Sequence, residues 1–445
     1  NVFLTEWPTA LEGTFRPEYL ALPRAVLETA MAKHERFFPV QGPDGALTNR
    51  FVSIRNGGEE HVVRQGNEWV LNARFNDAKF FFDEDARHTM AELLEKTRGV
   101  VFQEKLGTVR DRADRLAELA ALVASAVELD AADLEHARLA GLFAKADLSS
   151  GLVSELPALQ GLIGGAYAAR EGMPEPVCRA ISSHYSLAGI GDGDGVAYSV
   201  LIADQLDRLA GYLGLGLAPS GSSDPFGLRR AAGVLIEAAW SWKSASATNL
   251  DYASLLEKAL GCYQRAGHAL DRTATLLMLE DVFLSRYAAM MPGSGHDVVE
   301  AATQQDVLNP RLIRLKAAAI AELAENTSFV FAATRPINIV AAAEGKGITV
   351  LDAEPLGALD SSEGDALAAA VDVAQAKAAE ARAAEDPKAL ASALLPLEQP
   401  INAFFDSTMV MVDDDAVRAA RLGLLKRVTK TLFAAGDFSK LVIEG

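Results

Sequence analysis

Residues 111–127 read DRADRLAELAALVASAV, and this stretch decides the fold class. Leu116, Leu119, Ala120 and Val123 recur at helical spacing on one face, with Arg112, Arg115 and Glu118 assigned to the other. The same period runs almost unbroken from Val100 to the end of the chain. Helices fit 131–147, 174–184, 197–212, 225–242, 252–291 and 312–324. The acidic, alanine-rich segment 361–385 fits one long helix, capped by Ser361 or Ser362 and stopped at Asp386-Pro387. Its alanine content reads as a solvent-bridging rather than a core helix. Only the first hundred residues differ. Strands are expected at 2–4, 36–40, 50–55 and 60–63, between turns at Gly42-Pro43-Asp44-Gly45 and Asn56-Gly57-Gly58, with short helices at 24–32 and 68–82. The expectation is a mainly α protein opened by a mixed α+β module.

The 445 residues suggest about three domains at the usual ~100–200 residues each. Half the residues are hydrophobic and 23% are charged, which excludes a mostly disordered chain. No apolar run approaches the roughly 18–20 residues of a membrane-spanning helix. Lys and Arg number 42 against 60 Asp and Glu, a net charge of −18, which argues against an indiscriminate polyanion binder such as a general DNA-binding protein. That charge is unevenly spread. Residues 350–415 hold 14 acids and three bases, whereas 416–440 hold six bases against Asp437 alone. Arg418, Arg421, Lys426 and Arg427 thus sit on a basic last helix, either as a solvated face or facing an anionic partner. Cys178 and Cys262 form no CxxC, so a disulfide-built secreted domain or zinc ribbon is excluded and a reducing cytoplasm is expected. The start, NVFLTEWPTAL, has no initiator Met and no signal-peptide pattern, and reads as a strand already under way inside a longer protein.

Several apparent catalytic motifs fail. Phe15-Arg16-Pro17-Glu18 matches the FRxE core of class II aminoacyl-tRNA synthetases, but that motif needs an antiparallel strand and Pro17 removes a ladder donor. In the glycine-rich 189–195, Asp192 and Asp194 repel a phosphate, and no closing Glu completes a calcium loop; a surface loop is the reading. The seven histidines never fall at HxH or HxxxH spacing, so no mononuclear metal site is supported. Residues 214–232, GLGLAPSGSSDPFGLRRAA, say more. Asp224 as N-cap and Pro225 as first helical residue place Arg229 and Arg230 in the second turn, where arginine does not favour the helix dipole. Both then seek a partner, a carboxylate of a neighbouring helix or a phosphate.

Residues 206–232 closely resemble the hallmark of the β subunit of bacterial tetrameric glycyl-tRNA synthetase. So do Glu6-Trp7-Pro8, Phe37-Phe38-Pro39-Val40, Gly66-Asn67-Glu68, the block 102–108, Lys145-Ala146-Asp147-Leu148, Leu159-Gln160-Gly161, Phe404-Phe405-Asp406 and the closing Asp437-Phe438-Ser439-Lys440-Leu441. The family's subunit is longer at its N-terminus. The resemblance implies a tRNA-binding, positioning subunit of glycine–tRNA ligase in an α2β2 heterotetramer. No aminoacylation site and no cofactor are expected in this chain; ATP and Mg are used by the catalytic α subunit. It further implies four regions: a mixed α+β module (1–95), a degenerate HD-like helical domain (96–245), a helical linker (246–310) and a helical anticodon-binding-like domain (311–445). The HD dipeptide position reads Ala146-Asp147, with Asp204 or Asp207 on a later helix and no partnering histidine. Arg418, Arg421, Lys426 and Arg427 become candidates for the anticodon, and Arg229 and Arg230 for acceptor-side phosphates. The competing expectations are an HD-type metal-dependent phosphohydrolase and a helical scaffold without RNA contact.

Overall fold

The computed structural model describes residues 2–243, 250–351 and 361–442. The chain divides into two compact units: residues 1–217, 241–250 and 254–275, and residues 218–240, 251–253 and 276–445. Helices dominate both, as the period predicts.

The first unit opens with a three-stranded antiparallel sheet, β1 (Thr9–Thr14), β2 (Phe38–Gln41) and β3 (Leu47–Arg55), in the order β1-β3-β2. Thr9 lies opposite Arg55 and Phe38 opposite Val52. A short helix α1 (Arg24–Thr29) follows β1, and the 26-residue α2 (Glu60–Asp85) buries Leu71, Phe75 and Ala78. Phe75 meets Phe15 edge-on at 4.8 Å, and Phe51 of β3 stacks on Phe37 at 4.7 Å. Gly13 faces Phe51 across the sheet; a Cβ there would come within 2.5 Å of the ring, so only glycine lets the aromatic lie flat.

Two expected strands are corrected. Val2–Leu4 is a 3-10 turn with Phe3 and Leu4 exposed, and the true first strand is β1, whose sequence TALEGT carries little β propensity. The expected strand at 60–63 is the first turn of α2: Val63, Val70 and Leu71 stand at i, i+7 and i+8, a helical spacing that four residues alone do not reveal.

There follow α3 (Met90–Lys96), a small antiparallel ribbon β4 (Val101–Gln103) and β5 (Gly107–Thr108), then α4 (Val109–Ala126), α5 (Ala131–Phe143), α6 (Gly151–Glu155), α7 (Leu162–Arg170), α8 (Glu175–Ser183) and α9 (Gly195–Gly214). Thr108 and Asp111 form a capping box that starts α4, Asp130 caps α5, and Asp194 caps α9. Asp194 therefore ends the 189–195 loop as a structural cap. Helices α4 and α5 approach so closely that a Cβ on Gly141 would lie 2.5 Å from the Leu116 carbonyl oxygen. Cys178 and Cys262 are both free and buried.

Next come α10 (Leu228–Ser241), α11 (Tyr252–Arg265) and α12 (Arg272–Met290). The single helix expected over 252–291 is broken: Gly267 takes φ +88°, and Asp271 accepts the Ala274 amide to begin the next helix. The rest of the second unit comprises α13 (His296–Ala302), α14 (Pro310–Ala324), α15 (Thr327–Gly345), α16 (Ser362–Ala383), α17 (Pro387–Leu394), α18 (Glu398–Ser407) and α19 (Asp415–Leu432). Ser361 caps α16 as expected, but α16 is no solvent bridge. Leu367, Val371, Ala374, Ala378 and Ala381 repeat every three or four residues and enter a core shared with Phe404, Leu422, Leu425 and Val428. No helix among the described residues is long and apolar enough to cross a membrane.

Candidate functional site

The first unit encloses a buried polar centre built from four segments. Helix α4 supplies Arg112 and Arg115, which are 9% and 3% exposed, so the outward face assigned to them from the sequence is corrected. Arg112 lies four residues before Leu116 and seven before Leu119, on the leucine face itself. The turn after α5 supplies Lys145 and Asp147, the end of α8 His184, and α9 Asp204 and Asp207; all five are buried.

Each carboxylate is taken. Asp207 accepts from Arg112 at 3.0 Å and from Arg115 at 2.7 Å. Asp204 accepts from Arg112 at 3.0 Å and from the Lys145 ammonium at 2.9 Å. Asp147 accepts the backbone amides of Gly161 and Gly164 at 2.6 and 3.0 Å, and so fastens the start of α7. Gly161 stands at φ +82°, a left-handed turn that aims its amide at the carboxylate. His184 places Nδ1 2.8 Å from the Ile181 carbonyl, which can only accept, so Nδ1 carries the proton and Nε2 accepts from Lys145 at 2.8 Å. Aromatic rings close the centre: Phe102 lies over Arg112, Tyr263 over Arg115, and Tyr185 over the Lys145 nitrogen at 3.7 Å.

Burial and these pairings set the protonation states. Burial pushes Lys145 down to about 8 against the pull of Asp204, leaving it charged at neutral pH. Burial, reinforced by the Lys145 charge, pushes His184 down to about 3 and keeps it neutral. Burial alone would raise Asp204, but Lys145 and Arg112 outweigh it and hold Asp204 well below the usual carboxylate range. Asp147 is pushed up to about 6 by burial, against its amide donors. Asp204 and Asp207 are thus closed into ion pairs, whereas Asp147 takes both amides on Oδ2 and leaves Oδ1 buried without a hydrogen-bond partner. No group of three or more His, Cys, Asp or Glu side chains among the described residues could hold a metal ion. The side chains therefore do not fit the metal that an HD-type phosphohydrolase needs: Asp204 and Asp207 are spent on fixed cations, and Asp147 on backbone amides.

In the second unit, the sequence-predicted cations spread over several partners. Arg418 donates to the Val412 carbonyl at 2.8 Å and pairs with Asp415; Arg421 donates to the Met409 carbonyl at 2.6 Å. These two tie down the segment before α19. Lys426 pairs with Glu344 at 2.6 Å, and Arg427 with Asp372. A cleft of about 440 Å³ between α16 and α19 is lined by Gln375, Arg382, Arg427, Lys430 and Thr431. Arg229 and Arg230 lie in the first turn of α10, not the second. The helix starts at Leu228 because Gly227, at φ +64°, closes a turn onto Asp224, whose carboxylate then accepts the Leu228 and Arg229 amides. Arg230 is exposed and reaches no partner among the described residues; Arg229 donates to the Ser223 carbonyl at 3.4 Å. The six cations are thus not gathered into one cluster.

A profile described as glycyl-tRNA synthetase beta subunit matches residues 1–304, more than half the chain. The chain belongs to the glycyl-tRNA synthetase beta subunit family. A second profile, the DALR anticodon binding domain, matches residues 330–438, from α15 through α19. Among relatives, the chain is 34% identical over 454 residues to the glycine–tRNA ligase beta subunit of Desulfitobacterium hafniense (strain Y51), covering 98% of this chain and 64% of that protein. It is 36% identical over 460 residues to that of Rhodospirillum centenum, covering 98% of this chain and 62% of the relative. The chain thus spans less than two thirds of the length of these curated relatives. The first profile covers the buried centre, and the second covers Arg418, Arg421, Lys426, Arg427 and the α16–α19 cleft. Sequence reading singled out Asp147, Asp204 and Asp207 but missed their partners Arg112, Arg115, Lys145 and His184. The signal for the arginines was present, since 112, 116, 119 and 123 share one helical stripe. For Lys145 and His184, 39 residues apart, no local pattern exists.

Proposed function

We propose that this chain is the tRNA-binding and positioning part of the beta subunit of an α2β2 glycine–tRNA ligase, acting in the cytoplasm. It supports ATP-dependent glycylation of tRNA(Gly) by an α subunit that itself uses ATP and Mg. The observation that carries this reading is the anticodon-binding match over 330–438, which falls on the one bundle whose last helix is basic within an acidic protein. Residues 311–445 then form the anticodon-binding-like domain, in which Arg418, Arg421, Lys426 and Arg427 exchange their present carbonyl and carboxylate partners for RNA. Residues 1–95 form the body module. Residues 96–245 form a degenerate HD-like domain that holds the acceptor side, with Arg229 and Arg230 toward phosphates, and 246–310 connect the two. The mechanism is positioning. Fixing the terminal ribose hydroxyl against glycyl-adenylate on the partner subunit turns a bimolecular transfer into an effectively unimolecular one.

The test is glycylation of tRNA(Gly) by the cognate α subunit with and without this chain, alongside tRNA binding at two salt concentrations. Stimulated glycylation and binding that weakens steeply with salt are expected. Equal affinity for glycine and non-glycine tRNAs at moderate salt overturns the reading, and absence of binding to either leaves a helical scaffold without RNA contact.

A further inference from the structure

The buried centre of the first unit has the donor types of a metal site without the metal's role. The Asp204 carboxylate and the neutral Nε2 of His184 converge from α9 and the end of α8 on one point, and the atom at that point is the Lys145 nitrogen, 2.9 and 2.8 Å away. An ammonium has three protons to place. Here one goes to the carboxylate, one to the imidazole lone pair, and the third faces the Tyr185 ring at 3.7 Å. The second oxygen of Asp204 is held by the Gln205 amide, and its first is shared with Arg112. Both oxygens of Asp204 and the free nitrogen of His184 are therefore already engaged.

We infer that Lys145 is an internal cation standing where a metal ion would tie α8 and α9 to the turn after α5, so that this centre is a metal-independent strut carried entirely by the chain. The inference rests on the geometry of the centre and holds whether or not the RNA-binding reading does. A divalent ion would have to displace Lys145 and then sit beside Arg112 and Arg115, which remain paired to the same two aspartates. The strut therefore keeps its shape in chelator and in any metal buffer. A metal centre would loosen as its ion is withdrawn.

The experiment uses this chain with five substitutions, alone or combined, read by thermal melting and by Co²⁺ absorption. The native chain is expected to show no Co²⁺ band and the same melting temperature in EDTA and in Co²⁺. Lys145→Met keeps the stem and removes the charge, leaving Asp204 short of a partner; its melting temperature should fall by about 10 °C. Adding Asp204→Leu, which removes the carboxylate that lost Lys145 while Arg112 keeps Asp207, should recover most of that loss. Lys145→Ala, which opens the space, should gain a Co²⁺ response that His184→Gln abolishes. A native chain that binds one Co²⁺, with Asp204→Asn abolishing it, overturns the inference. So does a Lys145→Met variant that melts with the native protein. Should Lys145→Met fail to fold, folding of Lys145→Met/Asp204→Leu supports the strut, and its failure refutes it.

Discussion

The same side chains do opposite work in the two units. In the first, Arg112, Arg115 and Lys145 meet Asp204 and Asp207 out of reach of water. In the second, Lys426 and Arg427 meet Glu344 and Asp372, whose side chains are 44% and 68% exposed. A buried pair cannot exchange partners without exposing a bare charge in a low-dielectric interior, so it is part of the fold. An exposed pair contributes little to stability and is released by any competing anion. Residue type alone does not separate a structural cation from an RNA-binding one; solvent access does.

The largest effect that would break this contrast is at Asp207, which serves Arg112 and Arg115 together. Asp207→Ala is expected to cost about 3–5 kcal/mol in urea unfolding, since two buried guanidiniums lose their shared acceptor. A loss below ~1 kcal/mol would place the buried pairs in the same class as the exposed ones.

Acid sharpens the contrast next. His184 has its pKa lowered on folding to about 3, so the unfolded chain takes up its proton first and stability drops as pH falls from about 6.5 toward 3. Asp147 works the other way. Its pKa is raised to about 6, so the folded state takes up that proton first, and stability is gained as pH falls from about 6 toward 3.8. The two offset each other down to about pH 4. Below that, His184 continues to cost stability, and Asp204, whose pKa is lowered, adds its own loss. Native stability should therefore run nearly flat from pH 6.5 to about 4 and then collapse. In His184→Gln it should rise over pH 6 to 4, as followed by urea midpoints; a fall in that range would refute the opposed pair.

The smallest effects on stability belong to the cations on the outer side of α19, whose inner side carries Leu422, Leu425 and Val428. Arg427→Ala and Lys430→Ala should each change it by less than about 1 kcal/mol. On the RNA-binding reading, each should also lower the slope of log affinity for tRNA against log salt by about 0.7. Filter binding over a salt series checks this, and an unchanged slope for both variants would remove the α16–α19 cleft from the RNA-facing surface.

Much of the helical architecture was legible in the sequence because its period is strong: α4, α8, α9, α14 and α16 all lie within a few residues of their expected bounds. The errors have physical causes. Strand β1 hides behind a glycine that exists to admit Phe51 from another strand, which is information held 38 residues away. At Gly227 and Gly267 a left-handed residue redirects the chain where helical spacing suggests continuity. The candidate centre was half visible. Its aspartates stand out by type, but their cationic partners look like ordinary surface residues until tertiary packing buries them. Arg112 and Arg115 carried a readable sign in their spacing; Lys145 and His184 are joined only by the fold.

Helix α16 carries a consequence of a different kind. Its inner seam of Ala374, Ala378 and Ala381 is made of methyl groups, the smallest side chains that still exclude water. At Ala374 and Ala381 an added carbon would press on the packed core, whereas Ala378 also edges the α16–α19 cleft. Sequence drift is therefore one-sided here. Packing constrains the seam, while the opposite face, where Ala376 and Glu380 stand exposed, carries no such constraint. A lineage can thus retune what this helix displays without reopening how it is held.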